Sequence, residues 1–205
     1  VESSRHPNIK MYTQTRVVSV EGEEGNFTVI GPDDFQFLGQ AGDKVFAQNG
    51  RGALFTLAGA QLQELAGGDF LAPYEVRKVF RMEEGYLFVT YRSGLFWYKE
   101  GRFSSWNNAW NERLQALQVN DAALLPGERI VLGTSFGGVL ILEKDGSLVY
   151  RISRDEGLAN NKVASLRVDR NHNLWCGLDN GISFIQSNSP FTRLQPDGEL
   201  EGIGY

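Results

Sequence analysis

Between residues 158 and 185 short apolar runs alternate with polar turn residues. Positions 163–168 are followed by Asp-Arg-Asn-His-Asn, then Leu174-Trp175-Cys176, then Leu178-Asp179-Asn180-Gly181, then positions 182–185. Short β-rich runs bounded by turn chemistry predict an antiparallel meander. Asn180-Gly181 is expected to supply the left-handed backbone of a tight hairpin, since Gly meets no steric penalty there.

The pattern recurs. Leu158, Val163 and Gly181 have counterparts in Leu114, Val119 and Gly137 and in Leu71, Val76 and Gly94, with spacings of 5 and 18 residues each time. Ile30, Phe35 and Gly52 keep the first spacing and shorten the second to 17, as one loop deletion would. Leu200 and Tyr205 repeat the spacing of 5 at the far end. A pitch of 42 to 44 residues is that of a four-stranded propeller blade. The predicted class is all-β: a β-propeller segment of four-stranded antiparallel blades, about four complete repeats and a partial one. The blades fall at about 8–30 (partial), 31–66, 73–106, 116–152 and 160–195, in a single region spanning 1–205.

A blade cannot bury both faces alone, so neighbours must stack, and in-phase runs such as Val139-Leu140-Ile141-Leu142 suit burial between two sheets. An open sheet or parallel solenoid of the same period is the alternative. Turns compatible with antiparallel hairpins between nearly all successive strands favour the propeller.

With 41% hydrophobic and 22% charged residues, the chain can bury a core and shows no disordered composition. No run of apolar residues is long enough for a membrane helix, and the first residues do not form a signal peptide. Beginning with Val and stopping where another repeat would start, the chain reads as a fragment. A net charge of -5 argues against nucleic-acid binding, which needs clustered Lys and Arg. Cys176 is the only cysteine, so no internal disulfide or cysteine cage is available; its Trp-Cys-Gly setting predicts a buried thiol.

At residues 157–185 the sequence also resembles the two-component regulator propeller repeat, through Gly157-Leu158, Asn161, Val163, Leu166, Asp169, Asn173-Leu174-Trp175, Gly177 and Asn180-Gly181-Ile182. The preceding repeat shares Gly133-Thr134 and Gly137-Gly138. The earlier ones are degenerate, with Thr90 where a Gly is expected before the hairpin. The resemblance implies the extracytoplasmic sensor region of a bacterial two-component or hybrid regulator, periplasmic or outside the cell, attached to a membrane helix and a kinase or DNA-binding output. It further implies an oligosaccharide or other small ligand.

Candidate chemistry is sparse. His6 and His172 lie in different repeats, His172 in a hairpin turn, and no Ser-His-Asp order, HExxH, GxSxG or P-loop is present. Asp33-Asp34 and Glu83-Glu84 sit in turns, where carboxylates are solvated, whereas a glycosidase needs two carboxyls facing one cleft. No catalytic residue, cofactor or metal is expected. The most unusual stretch is Trp106-Asn107-Asn108-Ala109-Trp110-Asn111-Glu112-Arg113, with aromatic faces and amides of the kind sugar recognition uses. Trp106, Asn107, Trp110 and Arg113 are therefore ligand candidates, with outer-strand packing as the alternative role; Tyr91 and Arg92, in a hairpin turn, join them. Three classes remain open: a sensing or interaction module, a propeller enzyme of the lyase or glycan-degrading type, and a structural scaffold. Self-association through blade faces or in a full-length homodimer is expected, with no nucleic acid or membrane contact by this segment.

Overall fold

The computed structural model describes residues 17–23, 26–31, 35–58, 61–106 and 110–187, with side chains from residue 35 onward. Two strands, β1 (Val17–Glu23) and β2 (Asn26–Gly31), pair antiparallel. Then come four antiparallel sheets in strict chain order. They comprise β3 (Phe35–Ala41), β4 (Lys44–Asn49), β5 (Leu54–Ala58) and β6 (Gln61–Glu64); β7 (Val76–Met82), β8 (Gly85–Thr90), β9 (Leu95–Lys99) and β10 (Arg102–Ser105); β11 (Val119–Leu125), β12 (Arg129–Thr134), β13 (Val139–Leu142) and β14 (Leu148–Ile152); and β15 (Val163–Val168), β16 (Leu174–Leu178) and β17 (Gly181–Ile185). The sheets are stacked as blades of a β-propeller, with the first strands β3, β7, β11 and β15 nearest one another at the inner edge. The strands expected at 9–12 and near 191–194, and His6, Leu200 and Tyr205, lie outside the described residues.

Three apolar cores hold the stack, one between each adjacent pair of blades. Phe37, Phe46 and Leu54 meet Val79, Phe88 and Phe96; Leu87, Val89 and Leu95 meet Ala122, Leu132 and Leu140; Val131, Val139 and Ile141 meet Leu166, Leu174 and Cys176. Successive residues of a strand point to opposite faces, so β8 sends Phe88 to one core and Leu87 and Val89 to the next. Burial on both faces explains why β8, β12 and β13 are nearly continuous apolar runs. The last blade differs. At positions paired as Val131 with Ile141 are, it carries Trp175 and Phe184, and these, with Ile182, are exposed on its far face.

Each inner strand has the same irregularity. One residue is bulged out of the pairing: Gln36, Arg77, Asn120 and Ala164 in turn. The leucine and the residue after it by 5 behave as the spacing requires: Leu71, Leu114 and Leu158 are buried ahead of Val76, Val119 and Val163, which open the inner strands.

The glycine register needs correcting by one residue. Gly94 corresponds to Gly138, not to Gly137, and in the first blade to Ala53: the Asn49, Thr90 and Thr134 amides, each in the residue paired with the start of its inner strand, donate to the carbonyls of Ala53, Gly94 and Gly138. Thr90 Oγ1 and Thr134 Oγ1 also donate to the carbonyls of Gly94 (2.7 Å) and Gly138 (2.9 Å). Thr90 is therefore the counterpart of Thr134, not a stand-in for a lost glycine. Gly94 and Gly138 have positive φ (+83° and +76°), as has Gly52 (+88°) one residue ahead of Ala53, and a Cβ would lie 2.1 Å from Asn111 Oδ1 at Gly94, 2.2 Å from the Ile152 carbonyl oxygen at Gly138 and 1.9 Å from the Ala72 carbonyl oxygen at Gly52. In the last blade Leu178 pairs with Gly181, so the turn is Asp179-Asn180, one residue earlier than expected, and only Gly181 (φ +146°) takes a positive φ.

The second correction is a helix. Residues Asn111–Leu117 form α1, made of the strong helix formers Glu112, Arg113, Leu114, Gln115, Ala116 and Leu117, with Leu114 fully buried. The stretch was expected to continue an outer strand or loop; seven residues are too few for helical periodicity to stand out.

Candidate functional site

Strand direction decides where the loops gather. In an antiparallel blade the first strand begins, the second ends, the third begins and the fourth ends on one side. That side collects the turns 49–53, 90–94, 134–138 and 178–181, the connections 65–75 and 153–162, and, of the connection between the second and third blades, residues 106 and 110–118. Tyr91, Arg92, Trp106, Trp110 and Arg113 therefore share one face of the propeller. Asn107 lies outside the described residues. Glu83-Glu84 is on the opposite face, where Glu84 pairs with Lys99 and Glu83 with Lys144 at 3.6 Å; Asp33-Asp34 lies outside the described residues.

On that face a cleft of about 440 Å³ opens between the second blade and α1. It is lined by Tyr74, Ser93, Phe96, Ser105, Trp106, Asn111, Glu112 and Gln115. Its floor is aromatic: the Tyr74 and Phe96 rings stack at 5.5 Å and 9°. Its wall is polar and fixed. Asn111 Oδ1 accepts from the Leu95 amide at 2.6 Å, and Asn111 Nδ2 donates to Ser105 Oγ at 3.0 Å. A Cβ on Gly94 would lie 2.1 Å from Asn111 Oδ1, so the turn glycine makes room for the side chain that orders the wall. Trp106 is almost fully buried and contributes to the core behind the cleft as well as to its lining. Trp110 and Arg113 sit at the start of α1, with the guanidinium 5.0 Å from the indole ring.

Beside the cleft, at the inner edge, Tyr91 gathers a second group. Its hydroxyl donates to Gln118 Oε1 at 2.7 Å, and the guanidinium carbons of Arg77 and Arg92 lie 4.5 and 4.9 Å from the ring centre. The Tyr91 amide donates to the Glu75 carbonyl (2.9 Å), and the Tyr91 carbonyl accepts from the Val119 amide (2.8 Å). This turn thus bonds to the inner strand that opens the next blade.

The sequence brought Tyr91, Arg92 and the 106–113 stretch forward and missed Arg77, Tyr74, Phe96 and Gln115. Arg77, which covers Tyr91, is bulged out of the strand pairing, and nothing in the run Val76-Arg77-Lys78-Val79 marks the bulge. Tyr74 and Phe96 read as ordinary core residues.

Among the described residues no three His, Cys, Asp or Glu side chains gather to hold a metal ion, and no helix is long and apolar enough to cross a membrane. His172 occupies the β15–β16 turn with φ +63°, and Cys176 is buried, its thiol pushed up to about 11 by desolvation.

No family model and no curated protein matches the chain. Solved structures do match in fold. The extracellular domain of a Bacteroides thetaiotaomicron protein described as a hybrid two component system, BT3049, superposes with a TM-score of 0.54 at 18% identity, covering 84% of this chain and 24% of that one. PorZ, a surface component of the type-IX secretion system of Porphyromonas gingivalis, gives 0.51 at 18% identity over 75% of this chain and 25% of that one. The computationally designed Ika4 protein gives 0.50 at 15% identity, covering 85% of this chain and all of Ika4. The chain spans about a quarter of the length of the two natural domains. These likenesses agree with the propeller fold that the repeat resemblance implies.

Proposed function

We propose that this chain is a ligand-sensing propeller module with no chemistry of its own, the extracytoplasmic part of a bacterial transmembrane regulator, and that its ligand is a small saccharide. The observation that carries the reading is the cleft beside Tyr91: an aromatic floor, hydroxyl and amide walls, and a volume suited to one or two sugar rings. A pocket of flat apolar surface with a few placed polar groups is the usual form of such a site. Both the repeat resemblance and the fold likeness to the BT3049 domain support the setting.

A ligand there touches Ser93 from the second blade's turn and Asn111, Glu112 and Gln115 from the connection to the third. It therefore stabilises one placement of the two blades over others, which is all that a signal requires. The exposed Trp175, Ile182 and Phe184 face supports self-association of the isolated chain through a blade face.

The test is a thermal-shift and calorimetric screen of oligosaccharides. A ligand at a hundred times its Kd adds about 2.7 kcal/mol and raises Tm by roughly 5–10 °C. No shift with any saccharide would refute the sensing reading. Appearance of cleaved products would favour the enzyme instead.

A further inference from the structure

We propose that the ligand bound at this face carries a single anionic group, a carboxylate or a sulfate, held by Arg77 and Arg92 beside the cleft. The inference rests on the ligand-sensing reading and adds the charge the ligand must bear.

Two guanidinium groups lie against one ring, at 4.5 and 4.9 Å from the Tyr91 centroid. Cation–π contact fixes the plane of a guanidinium, and on the exposed Arg92 it leaves the N–H edge available for a planar acceptor. Arg77 is only partly satisfied: its Nη2 pairs with Glu75 Oε1 at 3.0 Å, while its Nε is buried and meets no acceptor. A buried donor without a partner is unfavourable, and native structures rarely keep one unless something else supplies the acceptor. Among the described residues Arg92, which is exposed, pairs with no carboxylate. Counting Arg77, Arg92 and Glu75 leaves one positive charge here, on a chain whose net charge is -5.

Position along the chain joins this group to the cleft. Arg92 is followed directly by Ser93, which lines the cleft together with Glu112. A saccharide body in the cleft would place its anionic end at the arginines. Glu112 would accept from sugar hydroxyls and repel a second anion, so one terminal charge is preferred over several. Carboxylate and sulfate both offer coplanar oxygens to the guanidinium fork.

The experiment uses the whole chain and three matched probes: galactose, galacturonic acid and galactose 6-sulfate, with inorganic sulfate as a fourth. Calorimetry gives Kd, and the Arg77 Nε–Hε resonance reports on the orphan donor. The acidic sugars are expected to bind about tenfold or more tighter than galactose, with the difference weakened by salt and removed in Arg92→Ala. Which acidic sugar binds more tightly identifies the anion. The Arg77 resonance should move with the acidic sugars and stay still with galactose. Arg92 is exposed, so its truncation leaves the fold intact; Arg77→Lys, which keeps the charge and loses the fork, should weaken acidic binding alone.

Equal affinity for galactose and the acidic sugars, or an unchanged acidic Kd in Arg92→Ala, would overturn the inference and leave the sensing reading standing. Sulfate moving the Arg77 resonance while no sugar binds would support the anion site and sink the saccharide reading. No response to any probe would overturn both.

Discussion

Replacing Gly138 by Ala separates the two reasons a glycine can be required in a blade turn, angle and space, and Gly127 supplies the control. The two have nearly the same φ, +76° and +78°, so a Cβ meets a similar backbone penalty at either, about 1–2 kcal/mol. At Gly127 nothing lies within 4 Å of that Cβ. At Gly138 it would stand 2.2 Å from the Ile152 carbonyl oxygen and 3.0 Å from Ser153 Cα, where ordinary contact begins at 3.4 Å. The Ile152 carbonyl belongs to the last residue of β14 and cannot turn aside, so the connection to the next blade must shift by about an ångström; overpacking of this kind adds about 1–3 kcal/mol. Gly127→Ala should therefore cost about 1–2 kcal/mol and Gly138→Ala about 2–5 kcal/mol. Urea unfolding reads the difference as a lower midpoint at unchanged slope. Neighbouring Gly137, without a positive φ and facing the movable Leu117 side chain at 2.9 Å, should tolerate Ala better than Gly138 does. Equal losses at 127 and 138, or a larger loss at 137, would refute the register assigned to the repeat.

Phe46→Ala removes a fully buried ring that touches Tyr86 and Phe88 at 5.0 and 5.3 Å, and should cost about 3–5 kcal/mol in the same assay. Asp121→Ala should destabilise by about 1–3 kcal/mol, because the carboxylate accepts from the Leu166 amide of the next blade at 2.8 Å and faces Lys78 of the previous one at 3.6 Å; Asp121→Leu recovering wild-type stability would argue against that bridging role. Cys176 should resist thiol reagents at pH 8 in the folded chain and react fully in urea, since burial raises its pKa to about 11; rapid native labelling would contradict the burial. Glu156 titrates below its ordinary 4.5 because Ser153 Oγ and the Ser153 amide donate to it at 2.6 and 2.7 Å. Its contribution is thus present above pH 4.5 and lost as pH falls through the lower, folded value. Ser153→Ala should move the Glu156 titration upward by NMR, and an unmoved titration would remove that cause.

What could be read from the chain and what could not follows from the range of the interactions involved. Strands with a period of 2 and turns rich in Gly and Asp are local, so the meander, the pitch and the buried Leu71, Leu114 and Leu158 were legible. The glycine register was not, because Gly137 and Gly138 are adjacent and only the bonds from Thr90 and Thr134 distinguish them. The helix α1 was hidden by its length and by tryptophans at 106 and 110, which suit a strand equally well. In the candidate site, Tyr91 and Arg92 announced themselves as polar and aromatic residues in a turn. Arg77 did not, since it stands at a one-residue slip in strand pairing that leaves no mark in composition.

That slip occurs at 36, 77, 120 and 164, and it separates two kinds of change. A bulged residue is excluded from the cross-strand ladder and from all three apolar cores, yet it stands beside its blade's turn: Gln36 bonds Gln48, Arg77 covers Tyr91, and Asn120 accepts from Ser135. Such a position can be rewritten without disturbing the apolar cores, though at 120 the change also removes the bond from Asn120 Nδ2 to the Val163 carbonyl of the next blade (2.8 Å). Of the four bulged positions, Ala164 alone carries no polar side chain to present there.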